Sequence, residues 1–124
     1  MPGPFPYRDG FGSTQAPACD ITISWQGKSK ILPALIDSGA SGTLIPDSLA
    51  AELSLRKIRE KRVSGWDKRV ESRSEYVANI NFLGFMFPNQ PVVGAARDYV
   101  LIGRDILNRY TTTLNGRQLE FSVT

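Results

Sequence analysis

The stretch Ile31-Leu32-Pro33-Ala34-Leu35-Ile36-Asp37-Ser38-Gly39-Ala40-Ser41-Gly42-Thr43-Leu44-Ile45 decides the fold. An apolar run ends on a single carboxylate, and a dense set of small residues follows. Ile31 to Ile36 reads as a strand, with Pro33 marking an edge or a bulge because it cannot donate to a ladder. Asp37 to Gly42 is too rich in Gly, Ala and Ser for a regular element and reads as a tight loop. Leu44 and Ile45 resume a short strand. Small side chains let another backbone come close to Asp37, and Leu35, Ile36, Leu44 and Ile45 keep its surroundings dry.

Outward from this loop the chain reads as short strands. Ile21, Ile23 and Trp25 alternate with Thr22 and Ser24, the period of a half-buried strand, and Gln26-Gly27-Lys28 turns it back. After Ile45, Pro46 opens a short helix to about Leu53, with Asp47 in its first turn and Leu49, Ala50 and Leu53 on one face. Arg56–Val63 and Arg69–Val77 flank Ser64-Gly65-Trp66-Asp67-Lys68 as a hairpin. Asn79–Phe82 and Phe85–Phe87 flank Leu83-Gly84 as another. Tyr99–Ile102 is a strand, followed by a second short helix carrying Ile106, Leu107 and Tyr110, with Asp105 as its N-cap. Asn115-Gly116 signals a final hairpin between Thr111–Leu114 and Arg117–Phe121. No internal repeat is present. The expected fold is mainly β: a small closed barrel with two short helices, one lobe per chain.

The remaining composition narrows the chemistry. The 124 residues suit one domain, 41% are hydrophobic, and 11 Gly and 8 Pro favour turns. Residues 1–18 hold Pro2, Pro4, Pro6 and Pro17 with three glycines and are expected to form a flexible or extended arm, with docking through Phe5, Tyr7 and Phe11 as the alternative; residues 19–124 form the domain. No histidine is present, and Cys19 is the single cysteine. Imidazole-based catalysis, an intrachain disulfide and multi-cysteine metal sites are thereby excluded, and no cofactor or metal is expected. The net charge of +3 is small, and the basic stretch Arg56 to Arg73 is broken by Glu60, Asp67 and Glu71, so no nucleic-acid partner is expected. No apolar run reaches a membrane span, and Met1 to Asp9 lack the regions of a signal peptide. A cytoplasmic chain is expected, free or cut from a longer precursor. Gly27-Lys28-Ser29 and Ser38 to Thr43 superficially suggest phosphate loops, but the first lacks the leading Gly and a following helix, and the second lacks a Lys.

Carboxylates are left as the acid–base groups. A second carboxyl close to Asp37 would make the two share one proton, one serving as base toward water and the other as acid. The loop occurs once in the chain, so a second subunit related by a twofold axis is the source of the partner Asp37. Asp37 also has an ordinary alternative as a turn residue capping local amides.

At this point the sequence resembles the retropepsin-like, retroviral-type aspartic proteases. Ala34-Leu35-Ile36-Asp37-Ser38-Gly39-Ala40 is similar to their first signature and Leu101-Ile102-Gly103-Arg104-Asp105 to their second. The order and spacing are those of a single-lobed domain, covering Asp20 to Val123. The resemblance implies an aspartic endopeptidase active as a homodimer on polypeptide substrates, without a covalent intermediate. It implies Asp37 as the catalytic aspartate and Ser38 as the hydroxyl that bonds across the dimer. Gly39, beside Ala40, would face the substrate backbone, and Gly103 and Arg104 would brace the loop from behind. Gly65 and Trp66 fall where a flap would close over peptide. Ser41 departs from the retroviral pattern, which has an acid there, so Arg104 needs another partner, Asp105 or a backbone carbonyl. The same fold serving as a dimerisation or peptide-binding module without turnover is the alternative.

Overall fold

A computed structural model describes residues 3–65 and 67–124. In chain order the elements are β1 (Phe5–Pro6), β2 (Ala18–Trp25), β3 (Lys28–Ile36), β4 (Leu44–Pro46), α1 (Asp47–Glu52) and β5 (Arg56–Ser64). They continue with β6 (Val70–Phe82), β7 (Phe85–Ala95), β8 (Val100–Ile102), α2 (Arg104–Leu107), β9 (Thr112–Asn115) and β10 (Glu120–Val123). No helix is long and apolar enough to cross a membrane.

The strands β2-β3-β8-β4-β7-β6 are neighbours in that order, and β6 pairs back onto β2 through Ile21↔Phe82 to Ser24↔Asn79. This closes a six-stranded barrel, which removes the free edges of its sheet. β5 lies outside the ring, paired only to the first half of β6. A second sheet, β1-β10-β9, packs beside it. The interior is filled by Ile21, Ile23, Ile45, Ile80, Phe82, Val100, Ile102 and Ile106, all fully buried. The fold is thus the mainly β, one-lobe barrel with two short helices that the sequence implies.

Local chemistry explains the turns. β2 and β3 are joined by Gln26 and Gly27, both at positive φ, the two-residue turn that matches strand twist. Leu83 and Gly84 repeat it between β6 and β7, with the Gly84 amide donating to Asn81 Oδ1 at 3.1 Å. Pro33 pairs with Asp20 where β3 has only β2 as a neighbour, because β8 joins β3 only from Ala34 onward.

Several expectations are corrected. The segments expected as Arg69–Val77 and Asn79–Phe82 form one strand, β6, which begins at Val70, and Phe85–Phe87 continues through Pro88 and Pro91 to Ala95. Register shifts there: Ala78 pairs Gln90 but Ile80 pairs Phe87, and the Asn89 amide donates to Asn79 Oδ1. Pro88 sits in this bulge, where no ladder amide is needed. Pro46 ends β4 and caps α1 rather than occupying its first turn. Gly103, not Asp105, is the N-cap of α2. The last hairpin turns over four residues, since Asn115 itself pairs with Glu120 and its Oδ1 accepts the Gln118 amide. The arm expected to be flexible is docked in its described part. Phe5 pairs with Phe121 in β1–β10, Arg8 bridges to Ala16, and Phe11 packs edge-on against Tyr99.

Candidate active site

β3 and β8 run parallel through the barrel, with Leu35↔Leu101 and Ile36↔Ile102 in register. They carry both signature segments, Asp37 onward and Gly103 onward, to the same end of the barrel. The Asp37 amide donates to the Ile102 carbonyl at 3.0 Å, so the ladder fixes the backbone of Asp37 itself. Beyond it the chain turns. The Gly39 amide donates to Asp37 Oδ1 at 2.9 Å and the Ala40 amide to the Asp37 carbonyl at 3.2 Å. Asp37 is half-buried, while Ser38 and Gly39 are exposed. One carboxylate oxygen is therefore held by the turn, and Oδ2 has no hydrogen-bond partner among the described residues. A side chain at Gly39 would begin 3.1 Å from Asp37 Oδ1 and crowd the carboxylate.

Gly103-Arg104-Asp105 clamps this loop from behind. The Arg104 amide donates to the Ala40 carbonyl at 2.8 Å, and its guanidinium Nη1 donates to the Ser38 carbonyl at 2.8 Å. Arg104 thus finds the backbone carbonyl that the missing acid at Ser41 made necessary. Gly103 lies so close to Gly42 that a Cβ would stand 2.5 Å from the Gly42 oxygen. No side chain fits, and this is the physical reason for glycine there. Asp105 closes the far end. Its Oδ1 accepts the Thr43 hydroxyl at 2.8 Å and its Oδ2 accepts the Thr43 amide at 3.1 Å. Gln90 Nε2 donates to the same Oδ2 at 3.1 Å. Thr43 Oγ1, fully buried, also accepts the Gly103 amide at 3.3 Å.

Sequence reasoning missed Thr43 and Gln90, and offered Asp105 as a helix cap or a partner for Arg104 rather than as the acceptor of Thr43 and Gln90. A threonine between Gly42 and Leu44 looks like any loop residue, and its signal is tertiary: a buried hydroxyl needs partners. Gln90 comes from the part of β7 that was not read as strand. Gly65 stands at the tip of the β5–β6 hairpin, its amide donating to the Arg69 carbonyl. Trp66 lies outside the described residues. Among the described residues no three His, Cys, Asp or Glu side chains converge as a metal ion would require. Chemically, the site is a carboxylate on a rigid, exposed, small-residue loop, able to approach a polypeptide backbone and exchange a proton with water.

Known structures share this fold. The EIAV protease in complex with the inhibitor HBY-793 is 19% identical, with a TM-score of 0.64 over 81% of this chain and 92% of that one. A retropepsin-like aspartic protease from Rickettsia conorii is 14% identical, with a TM-score of 0.64 over 99% of this chain and 92% of that one. The simian foamy virus (mac) protease is 19% identical, with a TM-score of 0.52 over 73% and 92%. No curated protein sequence matches significantly. The family model described as aspartyl protease matches residues 21–106, which span both β3 with its loop and the Gly103-Arg104-Asp105 clamp. The chain belongs to the aspartyl protease family and is an aspartic-type endopeptidase with the single-lobed, retropepsin-like fold.

Proposed function

We propose that two copies of this chain assemble about a twofold axis and hydrolyse peptide bonds with Asp37 from each copy. The observation that carries this is the open Oδ2 of Asp37 on a loop clamped at Ser38, Ala40 and Thr43. Two carboxyls at the axis share one proton. The ionised one takes a proton from water as its oxygen bonds to the scissile carbonyl carbon. The protonated one gives its proton to the carbonyl oxygen. The tetrahedral intermediate then collapses, the C–N bond breaks, and the nitrogen leaves as an amine after gaining a proton. Ser38, exposed beside Asp37, bonds across the axis. Gly39 offers its backbone to an extended substrate. The β5–β6 hairpin, with Gly65 at its tip, serves as the flap.

The test is digestion of an unstructured protein such as casein from about pH 3 to pH 7, with wild type and Asp37→Asn side by side. Sedimentation at the assay concentration accompanies it. Cleavage by the wild type alone, strongest at mildly acidic pH and by a dimer, is expected. Equal cleavage by Asp37→Asn would sink the mechanism. A stable dimer that binds peptide without cutting it would favour a binding module.

A further inference from the structure

A cavity of about 450 Å³ lies between the far half of the active-site loop and the β5–β6 ribbon. Ser41 and Gly42 form one wall, Arg59, Lys61 and Glu75 another, and Arg109 closes a third side. Its charges do not balance. Glu75, with a side chain only 4% exposed, is held by Arg59 Nε at 2.9 Å and Lys61 Nζ at 3.4 Å. Both oxygens of the cavity's other carboxylate, that of Asp105, are already occupied by Thr43, Gln90 and the Ile106 amide. Arg109 has no carboxylate partner among the described residues, and its guanidinium lies over the Phe87 ring at 5.3 Å. Glu75 takes only the Nε edge of Arg59, whose side chain stays 65% exposed. Three cations thus surround one available carboxylate. The ribbon accentuates this: residues 56–75 hold eight basic and four acidic side chains, a net +4 in a chain of net +3.

We infer that this cavity is an outer substrate subsite that takes an acidic side chain of the polypeptide being cut. The inference rests on the protease reading above and adds a substrate class to it. An incoming carboxylate would meet the free edge of Arg59, Lys61 and Arg109, charge-assisted donors that Glu75 leaves unsaturated. Ser41 adds a hydroxyl and no opposing charge. Geometry favours a side chain on the substrate over an unattached anion. Ser41 follows Asp37 by four residues, a span of at most about 13 Å, and an extended peptide advances about 3.3 Å per residue. The acidic residue therefore falls within about four residues of the cut. Because side chains alternate faces in an extended chain, alternate positions point the wrong way.

The experiment uses pairs of fluorescent peptides identical except for Glu or Gln, placed in turn at each position up to four from the cut. Binding is measured by anisotropy on the full Asp37→Asn chain, and cleavage on the wild type. At one position the Glu peptide should bind about tenfold tighter than its Gln twin, a preference weakened by salt. Arg109→Gln and Lys61→Gln, both at exposed side chains, should each bring that ratio toward one. Equal binding of the twins at every position overturns the inference, as does a preference surviving both substitutions or no binding by any peptide. A charge preference in binding with no cleavage by the wild type overturns the protease reading and leaves the subsite standing.

Discussion

Gly103→Ala isolates the clamp in a single atom. The added Cβ would stand 2.5 Å from the Gly42 oxygen, 2.6 Å from the Gly42 carbonyl carbon and 3.0 Å from the Ala40 oxygen. All three are backbone atoms, so no side chain can swing aside. The φ of Gly103 is −93°, which alanine adopts freely, so the cost is purely steric. Relief requires the loop and the start of α2 to part by about 1 Å, the gap between these contacts and ordinary carbon–oxygen packing. Overpacking of this kind costs about 1–3 kcal/mol. Parting also strains the Arg104 amide bond to Ala40 (2.8 Å) and the Gly103 amide bond to Thr43 Oγ1 (3.3 Å), each worth about 1 kcal/mol. The stiffer unfolded chain of alanine returns about 0.4–1 kcal/mol. With both bonds lost, the net loss is about 2–4.5 kcal/mol on these terms.

The functional effect should be larger than the loss of stability alone. A shift of about 1 Å in a loop that carries a reacting group can cost about a hundredfold in rate. The assay is urea denaturation, read as a fall in midpoint at constant slope, together with peptide cleavage well below the transition. Gly116→Ala is the control, since a Cβ there meets nothing within 4 Å. A Gly103→Ala protein as stable as that control would refute the steric reasoning. Lost stability with unchanged cleavage would refute the link from loop position to catalysis.

Two further substitutions or treatments probe the interior. Asp105→Asn replaces an acceptor by an amide facing the donors of Thr43 and Gln90, so at least one of those bonds is lost. Thermal or urea unfolding should show a loss of about 1–3 kcal/mol, and no change would mean the network is dispensable. Burial pushes the Cys19 thiol from its ordinary 9.0 up to about 12, outweighing the opposing pull of Arg8. Native protein should resist iodoacetamide at pH 8 while unfolded protein reacts, and equal rates would contradict that burial. The linkage has a definite sign. Between 9.0 and about 12 the native state keeps the proton and the unfolded state releases it, so this contribution is complete below pH 9 and declines above it. Urea midpoints should fall on that alkaline side in wild type and fall less in Cys19→Ala.

What was legible in the sequence was what local chemistry writes into adjacent residues. Ile21 to Trp25 alternates because one face packs inward, and Gln26-Gly27 and Leu83-Gly84 accept the positive φ of tight hairpins. Asp37 in its small-residue loop was visible for the same reason, whereas Gly103 and Arg104 were singled out only by the resemblance to a known family. Continuity of β6 and β7 was not, because Pro88 and Asn89 look like a break. Only the partner strand shows that they occupy a bulge opposite Asn79. The aromatics Phe5 and Tyr7 offered docking as an alternative, but their target Phe121 was hidden, since a proline-rich arm carries no local sign of the surface it will meet.

The division runs through the site itself. Asp37 stands out in the sequence as a lone carboxylate between an apolar strand and a small-residue loop, a setting that suits both acid–base work and the capping of the Gly39 amide. The residues that hold it in place do not, because each acts through a bond across more than sixty positions: Arg104 on Ser38, Asp105 on Thr43, Gly103 against Gly42. Such bonds depend on β3 and β8 lying parallel in register, a fact of topology rather than of composition. A loop with exposed Ser38 and Gly39 buries little apolar surface, so its rigidity comes from these bonds and not from packing. This is why the clamp, rather than the carboxylate, is where a substitution should alter folding and catalysis together. A change at Asp37 should leave the barrel intact, whereas Gly103, Thr43 and Asp105 tie the barrel's core strands directly to the position of the Asp37 loop.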